Sequence, residues 1–134
     1  MNAVTFGTPY YVLREQNRPI RPKVVPLHSG IECSAIYGFS GKSRYDRFCM
    51  KSQDLLVPYP LVKVYLRGQI GVPDDGLKLI VIDASEPREP DLYAATPEAV
   101  LEAHENGATH VTATFCLIFD EEVNAYRVKH EGND

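Results

Sequence analysis

Leu77-Lys78-Leu79-Ile80-Val81-Ile82-Asp83 is apolar without a break from Leu79 to Ile82. A strand with one wet face alternates, so this one is expected to be central and covered on both sides. Downstream, Thr96 offers an N-cap oxygen, Pro97 fits a first turn, Glu98 faces the positive end of the helix dipole, and Gly107 stands just past the end. The spacing predicts a helix over 97–106 with Val100, Leu101 and His104 on one face. Beyond it, Val111, Ala113, Phe115, Leu117 and Phe119 alternate with Thr112, Thr114, Cys116 and Ile118, which predicts one long strand over 111–119. A turn at 120–124, a short strand at 126–130 and a frayed tail at 131–134 complete this half.

Upstream, Val4 to Leu13 reads as a strand interrupted at Gly7 and Pro9. Pro19, Pro22 and Pro26 make an extended arm of residues 17–26, since each ring removes a donor and disfavours helix before it. Gly30 to Phe39 predicts a second strand. Ser43 as a cap with Asp46 three residues on, and Tyr45, Phe48 and Cys49 at helical spacing, predict a helix over 44–53. Val62, Val64 and Leu66 alternate with Lys63, Tyr65 and Arg67, which predicts a half-buried strand over 62–67, followed by a loop over 68–76. This order predicts an α+β fold: a single two-layer domain over 1–134, with a mostly antiparallel or mixed β-sheet covered by one or two helices. Were 77–83 and 111–119 parallel, Asp83-Ala84-Ser85 would form a rim for a ligand.

No apolar run approaches the roughly 18 residues that cross a bilayer, which predicts no membrane span. The start, Met1 to Phe6, lacks the basic and apolar regions of a secretory signal, so a cytoplasmic location is expected. Cys33, Cys49 and Cys116 are odd in number and lack C-x-x-C spacing, so they read as reduced thiols rather than a disulfide framework or zinc clamp. Charge is uneven: residues 1–68 hold ten Lys/Arg against four acids, and residues 69–134 hold four against fourteen. A basic half of this kind suits phosphate-bearing partners, unless it folds against the acidic half.

Gly38-Phe39-Ser40-Gly41-Lys42-Ser43 follows one expected strand and opens a helix, a context in which backbone N–H groups and a lysine can hold an anion. It resembles the end of a P-loop, although Ile36 stands where that motif has its first glycine. Arg44, Arg47 and Lys51 form a basic stripe on the expected helix, and Arg14, Arg18, Arg21 and Lys23 charge the arm. Glu98, Glu102 and Glu105 form an acidic stripe on the other helix that could neutralise the first. Arg14-x-x-x-Arg18 with Glu32-x-Ser34-x-x-x-Gly38 resembles the bipartite signature of PilZ domains, small barrels that bind cyclic di-GMP. Glu32 replaces that signature's Asp or Asn, and one residue is added before the glycine.

Cys49, between Arg47 and Lys51, is a candidate nucleophile, with His28, His104, His110 and His130 as candidate bases and Asp83 as a lone acid. Their spacing selects no catalytic pair and leaves the catalytic residues unassigned. No cofactor and no metal site are expected. The reading that leads is a small non-enzymatic binding or regulatory protein acting through surface patches on a protein partner or through self-association. The alternative is a binder of a nucleotide or nucleic acid through Arg14, Arg18, Gly41, Lys42, Ser43, Arg44 and Arg47. A small enzyme using Cys, His or Asp is the second alternative.

Overall fold

The structure, a computed structural model, describes residues 4–70 and 76–129. Among the described residues, three helices pack on an eight-stranded mixed β-sheet accompanied by a separate two-stranded ribbon, the α+β fold that the sequence leads one to expect. Part of the expected loop 68–76, the tail at 131–134 and His130 lie outside the described residues.

The sheet is built around β4 (Cys33–Phe39) and β6 (Leu77–Ile82), which run parallel with Ile36 opposite Ile80. Every other ladder in it is antiparallel. On the β6 side follow β7 (Asp91–Ala95), β9 (Phe115–Asp120) and β10 (Ala125–Lys129). On the β4 side, β2 (Tyr11–Glu15) pairs with the short β3 (Arg18–Pro19) and, along its other edge, with β5 (Val57–Pro60). Leu61 N–H donates to the Tyr10 carbonyl across this edge. Pro58 and Pro60 therefore hold the outward positions, and the free edge of β5 lacks the donors that would recruit another strand.

Alternation on the two central strands fills two cores. Cys33, Ala35, Tyr37, Phe39, Leu79 and Val81 face one side, where Phe48 of α1 (Lys42–Lys51) packs on them. Ile36, Ile80 and Ile82 face the other, against Leu66 of α2 (Lys63–Ile70) and Val100 of α3 (Pro97–Glu105). Helices thus cover both faces of the strand expected to be central. A separate ribbon of β1 (Val4–Gly7) and β8 (His110–Ala113) lies on the α3 side, adding Phe6 and Val111 to its core.

Four expectations are corrected. Where a strand over 62–67 is expected, residues 63–70 form a helix, because burial falls on Leu61, Tyr65, Leu66 and Gln69 at helical spacing, while Val62 and Val64 stay exposed. Packing onto α3 outweighs the strand preference of the valines. The expected strand 111–119 breaks at Thr114 into β8 and β9 in different sheets. Val111 feeds one core and Leu117 the other, yet the two share one parity, so no unbroken strand can serve both. Helix α1 starts at Lys42 after Gly41, with no side-chain cap, and Ser43 with Asp46 lies inside it. Asp46 instead pairs with Lys42 at 2.5 Å, one turn away. Strands β5 and β7 form where no strand is expected from sequence.

Helix α3 follows its signals: Thr96 Oγ1 accepts a hydrogen bond from Ala99 N–H at 3.2 Å, and Gly107 takes the left-handed conformation after the end. No helix among the described residues is long and apolar enough to cross a membrane.

The proline arm positions the site. Ile20 N–H donates to the Leu13 carbonyl and the Ile20 carbonyl accepts from Tyr37, so the arm is wedged between β2 and β4. Three residues later the Lys23 carbonyl accepts from Tyr126 of β10, and Val25 N–H donates to the Tyr126 carbonyl. Three residues reach only about 10 Å, whereas β4 and β10 would stand about 19 Å apart in a flat sheet. The sheet therefore curls around the core under α1, and the arm straps its two ends together.

Candidate functional site

Beneath the strap lies a groove of about 1000 Å³. Its floor is made by Ile20, Tyr37, Phe48, Leu56, Phe119 and Tyr126, drawn from the arm, three strands, α1 and the chain after it. The rings are held against each other: Tyr37 and Phe48 centroids are 4.9 Å apart, and Phe119 meets Tyr126 edge-on at 5.2 Å. The Tyr126 hydroxyl donates to the Glu89 carbonyl at 2.6 Å, which ties the 86–89 segment to the floor as a wall. The same segment is braced by Glu89, whose carboxylate accepts from both the N–H and the hydroxyl of Ser85.

The rim is mainly basic. Arg18, Arg21 and Lys23 come from the strap and Arg88 from the opposite wall, with Glu15 and Asp54 as the acids that also line it. All four cations are exposed and none forms an ion pair among the described residues. Burial, with the Tyr126 hydroxyl and Glu89 nearby, raises the Tyr37 phenol far above its ordinary range, and Tyr126 is pushed up to about 12 by burial and Glu89. Both are neutral hydroxyls at physiological pH.

Of the seven residues that the sequence singled out, only Arg18 lines this groove. Arg14 points to the opposite face of β2, its guanidinium 3.9 Å from the Tyr59 ring centroid and its Nε buried without a partner. Gly41, Lys42, Ser43 and Arg44 lie at the start of α1 and Arg47 one turn on, beside a loop whose Ser40 is already engaged. Ser40 donates its N–H (2.8 Å) and its hydroxyl (2.7 Å) to the Asp83 carboxylate, and Arg44 lies 3.9 Å from it. Asp83, just after β6, takes the left-handed conformation and its N–H donates to the Gly38 carbonyl, so the parallel register brings this carboxylate to the loop. Its negative charge opposes a second anion there. Gly7 closes the space further, since a Cβ on it would lie 2.8 Å from the Ser40 Cβ.

The two helical charge stripes do not meet, because α1 and α3 lie on opposite faces of the sheet. Glu105 pairs instead with Arg67 of α2 at 3.2 Å. Ser34 lies on the face away from Tyr37, whereas Arg18 lines the groove on the Tyr37 face, so the residues that resemble the PilZ signature are divided between the two faces.

The nucleophile reading fares no better. Burial and then Asp46 raise the Cys49 thiol, Cys116 is raised by burial and Asp91, and burial pushes Cys33 up to about 11. All three are free cysteines. His104, on the other side of the sheet from Cys49, donates from Nε2 to the Pro9 carbonyl at 2.8 Å and packs on the Tyr10 ring, which satisfies it within the fold. Among the described residues, no three His, Cys, Asp or Glu side chains converge to hold a metal ion.

Comparison with protein-family models, with curated proteins and with solved structures finds no match. The site is therefore read from its own chemistry. Sequence reasoning placed cations on the arm but missed Arg88, whose only signal was its place as a lone base between Pro87 and Glu89 in the acidic half.

Proposed function

We propose that the protein is a non-enzymatic binding protein that holds a phosphate-bearing ligand in the groove under the strap. The observation that carries this reading is four exposed cations without ion-pair partners around an aromatic floor. Surface cations normally solvate or pair locally, and here strap and wall place four of them around one concavity, with Arg21 lining a second, smaller pocket as well. The volume suits a small molecule, and the aromatic floor can pack a flat or apolar part of it.

The test is titration of nucleotides and inorganic polyphosphate into the wild-type chain at several salt concentrations, and into an Arg21→Glu, Arg88→Glu variant. Binding should weaken with salt and fall about 100-fold or more in the double variant, as expected when two charged hydrogen bonds are lost. The melting temperature without ligand should stay within about 2 °C, since neither side chain has an ion-pair partner to lose. Equal affinity in the two proteins would remove the groove as the site.

A second reading, self-association, draws on residues 50–64. Met50 is 83% exposed and Leu55 89%, and Val57, Tyr59, Val62 and Val64 are exposed in the same stretch of chain. The prolines of β5 close its edge to strand addition, so a partner would meet side chains. Sedimentation over a rising concentration series should show association that Leu55→Lys with Val64→Lys abolishes. A monomer at every concentration would count against it.

A further inference from the structure

We infer that Tyr37 reads a polar ring on the bound ligand, which makes a nucleoside phosphate the ligand class of the groove. This inference rests on the groove being the binding site proposed above. Tyr37 sits on β4 at the centre of the sheet, hydrogen-bonded through its backbone to Ile20 of the strap and paired in register with Val81 of β6. Its side chain is held by Phe48 and is one of the floor residues, in a residue only 4% exposed. The hydroxyl has no hydrogen-bond partner among the described residues.

Tyr126, beside it on the same floor, has its hydroxyl bonded to the Glu89 carbonyl, so the two phenols differ in kind. One holds the wall and the other is left open to the groove. The Tyr37 hydroxyl reaches the solvent of the groove, so the fold does not depend on it, and phenylalanine would fill the same volume. A phenol can donate and accept, so it suits the edge of a heterocycle, which offers both kinds of group. The cations stand on the strap and on Arg88, above the floor, where they meet phosphate while the ring descends to Tyr37. A bare polyphosphate would engage the cations alone.

The experiment uses the whole chain, with purine and pyrimidine nucleoside mono- and diphosphates, the corresponding free nucleosides, tripolyphosphate and a short single-stranded oligonucleotide as probes. Calorimetric affinity and melting temperature are read for the wild type and for Tyr37→Phe. At least one nucleotide should bind more tightly than tripolyphosphate. Tyr37→Phe should weaken that nucleotide about tenfold, the loss of one well-made hydrogen bond. It should leave the tripolyphosphate affinity unchanged and the ligand-free melting temperature equal or higher.

A lower melting temperature in Tyr37→Phe would assign the hydroxyl to the fold and overturn the inference. So would unchanged nucleotide affinity, tripolyphosphate binding as tightly as every nucleotide, or an oligonucleotide binding far more tightly than any mononucleotide. Where salt-sensitive binding is lost in the Arg21→Glu, Arg88→Glu variant but Tyr37→Phe has no effect, the ring reading fails and the groove stands. Where none of the probes binds, both fail.

Discussion

Val100→Asp is expected to leave the chain unfolded at 25 °C, while Leu101→Asp, one residue on, is expected to fold with reduced stability. Val100 is fully buried on α3 and belongs to the same cluster as Leu66, Ile80 and Ala95, none of which can pair with a carboxylate. An unpaired buried carboxylate costs several kcal/mol, and losing the burial of valine adds about 1.5–3 kcal/mol. Total stabilities are only about 5–15 kcal/mol, so this one change approaches the whole margin. Leu101 is half-buried at the edge of that cluster, so an aspartate there can turn to water. Far-UV circular dichroism and urea titration of both variants decide the matter. A cooperative Val100→Asp protein with near-parental midpoint would mean that α3 does not pack as described.

Helix α3 was legible because every local signal agreed: cap, proline in the first turn, apolar stripe and terminal glycine each exclude alternatives on their own residues. Strand β6 was legible for another reason, since five residues of Leu, Ile and Val within 77–82 leave no wet face to expose. Residues 62–67 were misread because Val62, Val64 and Leu66 satisfy a period of two by accident, while the packing of Tyr65 and Leu66 decides the outcome. That packing depends on α3, more than thirty positions away in sequence, and is invisible locally. Strand β7, with Ala94 and Ala95, carries too little strand propensity to stand out, and β5 is masked by its two prolines.

The candidate site was legible in composition and not in geometry. Arg18, Arg21 and Lys23 were visible as a basic arm, yet what the arm faces follows from its hydrogen bonds to Leu13, Tyr37 and Tyr126, which span the whole sheet. Gly41-Lys42-Ser43 drew attention as a helix start with a lysine. What sequence could not show is the Asp83 carboxylate beside it, which reaches Ser40 only because β4 and β6 run parallel in one register. Motif reading sees donors; the fold decides whether they are already engaged.

Phe48→Ala is expected to lower stability by about 3–5 kcal/mol and the melting temperature by about 10–20 °C. Phe48 is the one fully buried side chain of α1, at 1% exposure, and its ring meets Tyr37 at 4.9 Å and Phe39 edge-on at 5.4 Å. Tyr45 and Cys49 flank it only partly buried, so α1 is attached to the curled sheet chiefly through this ring. The cost falls at the upper or lower end according to whether the space collapses. Here the surrounding strands are fixed by ladders on both sides and the strap, which opposes collapse. Phe48→Leu, which keeps most of the volume, should cost under about 1.5 kcal/mol. Because Phe48 also lines the groove beside Tyr37, alanine should let the floor side chain move, so nucleotide affinity should fall with it, while leucine preserves both. Thermal melts and titrations of the two variants therefore test the core and the site together. A Phe48→Ala protein melting within about 2 °C of the parent would show that α1 is held by other contacts and that the floor of the groove is not built on this ring.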